Sequence, residues 1–126
     1  MDLPLPDEAD EVGHPAEGGA DRAAHVETLG ADLVLDYRTR PDFAAEVLGT
    51  FPGGVSLYVE SAGDPAIWKE ALRTVARRGR VVVCGSHAGG DVELDLNWLF
   101  RTRVSIIGSS GSTLAAYGEV LAMADE

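Results

Sequence analysis

Residues 55–85, VSLYVESAGDPAIWKEALRTVARRGRVVVCG, decide the fold. VSLYVE (55–60) is rich in β-branched and aromatic side chains and reads as a strand. Asp64 followed by Pro65 is a helix start, because aspartate accepts from the first unpaired N–H groups and proline suits the first helical position. Ile67, Trp68, Ala71, Leu72, Val75 and Ala76 fall at helical spacing as a buried stripe, and Gly79 is expected to end that helix. RVVVCG (80–85) is a further strand, whose unbroken apolar run predicts burial on both faces of a sheet. Two strands joined through a helix form a parallel pair.

The same alternation extends outward. AAHVETLGAD (23–32) reads as the end of a helix stopped by Gly30, and LVLDY (33–37) as a short strand. In PDFAAEVLGTF, Pro41 suits a first helical position, with Phe43, Val47 and Leu48 on one side. DLNWLF (95–100) reads as a short helix and VSIIG (104–108) as a strand. LAAYGEVLAMADE (114–126) reads as an amphipathic helix, with Leu114, Tyr117, Leu121 and Met123 or Ala124 toward one side. The class is α/β with a parallel sheet.

Composition bounds the function. The chain has 126 residues, 45% of them apolar and 25% charged, which is globular composition with material for a core. The net charge of −11 argues against a nucleic-acid or anionic-membrane partner, since both select a cationic footprint. Residues 1–21 supply seven acidic side chains and no Lys or Arg. They also hold three prolines and no apolar period, and are expected to be a disordered acidic tail ahead of a domain at 22–126. One cysteine, Cys84, excludes an internal disulfide. No apolar run reaches the roughly 18 residues of a membrane span, and MDLPLPDEADE lacks secretory character. A cytoplasmic protein is the expectation.

Parallel sheets bind ligands beyond the carboxyl ends of their strands. Three such ends here are small and polar: Glu60-Ser61-Ala62-Gly63, the run from Cys84 through Gly85, Ser86 and His87 to Gly90, and the run from Gly108 to Thr113. Small residues admit a ligand to the backbone, although βα turns use Gly and Ser in any case. Residues 13–19 have the glycine spacing of a phosphate loop without its Lys-Ser/Thr. His14, His25 and His87 are scattered and outline neither a metal nor a hydrolytic site. Cys84 reads as a small core residue, Trp68 and Trp98 as packing residues. Glu60 is placed to bond a ligand hydroxyl or to pair with a neighbouring Arg.

The order of these segments resembles the C-terminal half of the cofactor domain of the medium-chain dehydrogenases/reductases, the family of zinc-type alcohol dehydrogenases and quinone oxidoreductases. The resemblance runs from ADRAAHVETLGADLVLDYRTRPDFAAEV through VSLYVESAG and ARRGRVVVCGSHAGG to LDLNWLFRTRVSIIGSSGST. It implies a partial Rossmann-like sheet with flanking helices, without the family's opening strand, glycine turn, helix and strand. It further implies NADP or NAD as cofactor. Ser61, Gly63, Cys84, Gly85, Ser86, Gly108 and Ser109 would lie beside it, and Tyr37 near the adenosine phosphate. No catalytic or zinc-binding residue is carried over. A homodimer contact is implied through the 92–110 region.

The resemblance implies an oxidoreductase moving hydride between nicotinamide and an alcohol, carbonyl or activated alkene. This chain is expected to be a fragment inactive by itself. The alternatives are a non-catalytic α/β interaction domain dimerising by its sheet edge, and a truncated or frame-shifted gene product. In the family's strand order the strand at 33–37 would be separated from that at 55–60.

Overall fold

Asp64 starts its helix as the sequence predicts. Its carboxylate accepts from the Ala66 N–H at 2.9 Å, and Pro65 is the first helical residue. The computed structural model describes residues 18–124 of the chain. They form α1 (Gly18–Thr28), α2 (Phe43–Thr50), β1 (Val55–Glu60), α3 (Pro65–Arg73), β2 (Val75–Val83), α4 (Leu96–Thr102), β3 (Ser105–Gly108) and α5 (Leu114–Ala124). The chain divides into two units at Arg40/Pro41. Of the expected acidic tail, residues 1–17 lie outside the described residues, and the rest opens α1.

In the first unit α1 leads into 29–40, where no strand forms. The expected strand at 33–37 is therefore corrected. A strand exists only by pairing, and this segment has no ladder partner. Asp36 instead organises a turn. Its carbonyl accepts from the Thr39 and Arg40 N–H groups at 3.1 and 3.0 Å, and its carboxylate accepts from Arg38 N and Nε at 3.0 Å each. Those Arg38 hydrogen bonds hold the Asp36 carboxyl below the usual range.

The second unit carries a three-stranded parallel sheet in the order β1-β2-β3. Tyr58, Val81 and Ile106 lie in one register row, as do Val59, Val82 and Ile107. Successive side chains alternate faces, so these rows face opposite ways. The first face carries the core, in which Trp68 and Leu72 of α3 meet Val75, Val81 and Val104, with Trp98 and Leu99 of α4 packed alongside. The second face is open, with Leu57, Val59 and Ile107 at 48%, 54% and 44% exposure. Burial of the sheet on both faces is thus corrected: α3 and α4 both pack on one side.

Two element ends differ from expectation. α3 ends at Arg73, so Val75 and Ala76 belong to β2 and not to the helical stripe, and Gly79 lies inside the strand. Thr74 turns the chain. Its N–H and hydroxyl both bond the Ala71 carbonyl, and its own carbonyl accepts from Val55 N at 2.8 Å, which pulls the following residues into the sheet. Register shifts between Val55/Val75 and Leu57/Arg80, a bulge that absorbs residues 76–79. α2 starts at Phe43, leaving Pro41 outside it. Asp42 makes no side-chain cap, and Glu70 of α3 supplies an acceptor for Ala44 N at 3.1 Å. α5 forms as predicted, but Leu114, Tyr117, Leu121 and Met123 are all exposed.

Candidate functional site

β1, β2 and β3 run in one direction, so their carboxyl ends share an edge. The turns leaving that edge are stitched together by backbone hydrogen bonds. Cys84 N donates to Glu60 O at 2.8 Å and Ser109 N to Val83 O at 2.9 Å. Ala88 N donates to Ala62 O at 2.9 Å, and Gly90 N to Gly63 O at 3.0 Å. Ser61, Gly63, Cys84, Gly85, Ser86, Gly108 and Ser109 thereby come to one edge. Tyr37, exposed in the turn after Asp36, belongs to the first unit.

The two glycines between these turns are required by contact. A Cβ on Gly63 would stand 2.7 Å from Ser86 Cα, and φ there is +65°. A Cβ on Gly85 would overlap the Ser61 carbonyl oxygen. Only hydrogen at both positions lets the turns close on each other.

Below the turns sits a buried carboxylate. Glu60 is 2% exposed, at the end of β1. Its Oε1 accepts from Ala62 N and Gly63 N at 2.7 Å each, and its Oε2 from the Tyr58 hydroxyl. Three converging donors are what an ionised carboxylate requires of a buried site. No Arg pairs with Glu60 among the described residues; its partners are these three donors. The signal for this arrangement was the i, i+2 spacing of Tyr58 and Glu60, which places both on one strand face. Burial, then the hydrogen bond to Glu60 and its charge, hold the Tyr58 phenol above its ordinary pKa.

Cys84 is exposed, its Sγ 3.4 Å from Glu60 O, which corrects its reading as a core residue. The strand is leaving the sheet at that point. Trp68 is buried and donates Nε1 to Glu93 O at 3.0 Å, as a packing residue with a satisfied indole. Among the described residues, no group of three His, Cys, Asp or Glu side chains is placed to hold a metal ion. An open groove of ≈ 590 Å³ lies elsewhere, between α3 and α4, with Lys69, Leu72, Glu93 and Trp98 in its lining. No described helix is long and apolar enough to cross a membrane.

The edge fits the neutral, hydroxyl-rich parts of a dinucleotide. Ser61, Ser86 and Ser109 are exposed there, and a Cβ on Gly108 or Gly111 would meet nothing within 4 Å. The backbone is therefore open to close approach. Zinc finds no comparable set of ligands among the described residues.

The family model for zinc-binding dehydrogenases matches residues 14–126. The NADPH-dependent curcumin reductase of Escherichia coli is 33% identical over 69 residues, which make up 54% of this chain and 19% of that protein. The crystal structure of the alcohol dehydrogenase from Aeropyrum pernix superposes with a TM-score of 0.72 at 25% identity, covering 83% of this chain and 30% of that one. Benzyl alcohol dehydrogenase from Acinetobacter calcoaceticus gives a TM-score of 0.65 at 28% identity, over 72% of this chain and 25% of that one. The chain thus spans about a fifth of the curated relative and under a third of each of these solved chains. With the parallel sheet and its stitched turns, these matches show that the chain belongs to the zinc-binding dehydrogenase family, the medium-chain dehydrogenases/reductases, and carries the C-terminal part of their cofactor-binding fold.

Proposed function

We propose that the carboxyl edge of β1, β2 and β3 is the nicotinamide-side wall of a dinucleotide site in an NAD(P)-dependent oxidoreductase. The observation that carries this reading is the convergence of three small, hydroxyl-bearing turns on one sheet edge in a chain of this family. When bound, the cofactor supplies hydride exchange with an alcohol, carbonyl or activated alkene. The chain's own part is to hold the ring end. Ser61, Ser86 and Ser109 offer hydroxyls to its polar atoms, Gly108 leaves backbone open to it, and Gly63 and Gly85 let the first two turns close on each other beneath it. Cys84 lines the same edge. Tyr37 belongs to the first unit and is proposed, on the family resemblance alone, as a neighbour of an adenosine phosphate. No residue described here is assigned to proton transfer.

The phosphates are expected to find few partners on this edge, so the 126-residue chain should bind more weakly than micromolar. The test is an amide NMR titration with NADPH and with NAD⁺ at millimolar concentration. Shifts concentrated at 61–63, 84–90 and 108–111 are expected. Shifts confined to the opposite ends of the strands would overturn the reading.

A homodimer through 92–110 is part of the same proposal. β3 is an edge strand, and nearby Leu96 and Phe100 are exposed, the latter at 82%. An unpaired edge with apolar neighbours favours association.

A further inference from the structure

We infer that Glu60 is a positioning residue that presets the two interlocked turns, 61–63 and 84–90, in the form that receives the ring end of the cofactor. The ligand half of this inference rests on the dinucleotide reading above.

Two sets of hydrogen bonds support it. Glu60 is the buried acidic residue of the unit's core side, and all three of its contacts are donors drawn from its own turn or strand. By taking the N–H groups of Ala62 and Gly63, it fixes the two peptide planes that carry the Ser61 and Ala62 carbonyls. The Ala62 carbonyl accepts from Ala88 N, and the carbonyl of Gly63, one peptide further on, accepts from Gly90 N. One carboxylate therefore sets the first turn directly and the second through it. The cost of burying its charge is offset only while all three donors stay in place.

A second consequence is chemical. Helix-leading turns bind phosphate through unengaged N–H groups. Here the two amides that would do so are occupied by an internal carboxylate. This turn is therefore built to face an uncharged or cationic part of a ligand, not a phosphate. A nicotinamide ring meets that description and a pyrophosphate does not.

Amide hydrogen exchange on the whole chain tests the positioning without a ligand. Glu60→Asp, one methylene shorter, should raise exchange at Ala62, Gly63, Ala88 and Gly90 at least tenfold, with Val81 and Val82 in the sheet centre unchanged. Glu60→Gln keeps an acceptor oxygen at the same reach and should restore wild-type exchange at all four. Equal acceleration across the sheet would make Glu60 a general stability residue and overturn the inference, as would no change at the four amides. If Glu60→Asp does not fold, Tyr58→Phe carries the same test through loss of the Oε2 donor, with a rise at Ala62 and Gly63 expected and no rise overturning.

NADPH then serves as the probe for the ligand half. Its shifts at 61–63 and 85–90 should vanish in the Asp variant and return in the Gln variant. Shifts that persist in the Asp variant would overturn the coupling of Glu60 to the ligand. An unshifted wild type would instead count against the dinucleotide reading, while the exchange result continues to decide the role of Glu60 in the turns.

Discussion

At the residue scale, the centre of the unit is the Tyr58–Glu60 pair. Tyr58 has its pKa raised by burial and by Glu60. A group whose folded pKa lies above its unfolded value contributes stability that is present below the unfolded value, near ~10 for tyrosine, and lost as pH rises through the folded one. The contribution of Tyr58 should thus be constant through neutral pH and decline above about pH 10. Urea midpoints of wild type and Tyr58→Phe should differ at pH 7–9 and converge as pH rises past ~10. A gap that widens with alkaline pH would contradict this. The pair was half legible in the sequence. Glu60 stood out at a strand end, but its partners did not, because two of the three are backbone amides that any residue could supply. Gly63 and Gly85 were legible as turn glycines, yet the contact that requires them is between turns over 20 positions apart, which no local pattern encodes.

At the element scale, capping was the clearest signal and register the poorest. Asp64 caps its helix where the sequence placed a cap, whereas Asp95, read as the first residue of its helix, is instead its cap and accepts from Asn97 N at 2.8 Å and Trp98 N at 3.2 Å. Asp95→Ala should cost about 1 kcal/mol, read as a lower urea midpoint. A loss under ~0.3 kcal/mol would show that tertiary packing of Trp98 and Leu99, not the cap, holds α4. The boundary between α3 and β2 was misplaced because Val75 and Ala76 continue the helical spacing of Trp68, Ala71 and Leu72 by coincidence. Thr74 and the bulge at 76–79 turn those residues into the sheet, an effect of pairing with β1 that composition does not announce. Segment 33–37 shows the same lesson in reverse, since a strand-like composition without a partner yields a turn.

At the scale of the whole molecule, one sheet face is apolar and open, and β3 leaves one sheet edge unpaired among the described residues. Leu57, Val59 and Ile107 line a face that α3 and α4 do not cover, and β3 ends the sheet. The unbroken apolar run at 81–83 predicted burial on both sides, and its failure here follows from both helices packing on one side. Association by the β3 edge should appear in sedimentation as a concentration-dependent dimer, weakened about tenfold or more by Phe100→Glu, roughly 1.4 kcal/mol. A strict monomer at high concentration would count against that part of the proposal.

An amide NMR titration of the 126-residue chain with NADPH decides whether the turn edge is a dinucleotide wall. Shifts clustered at 61–63, 84–90 and 108–111 are expected, with the strand starts at 55–57 and 75–80 unmoved. Shifts at the strand starts with the turns silent, or no shift anywhere at millimolar NADPH, would contradict it.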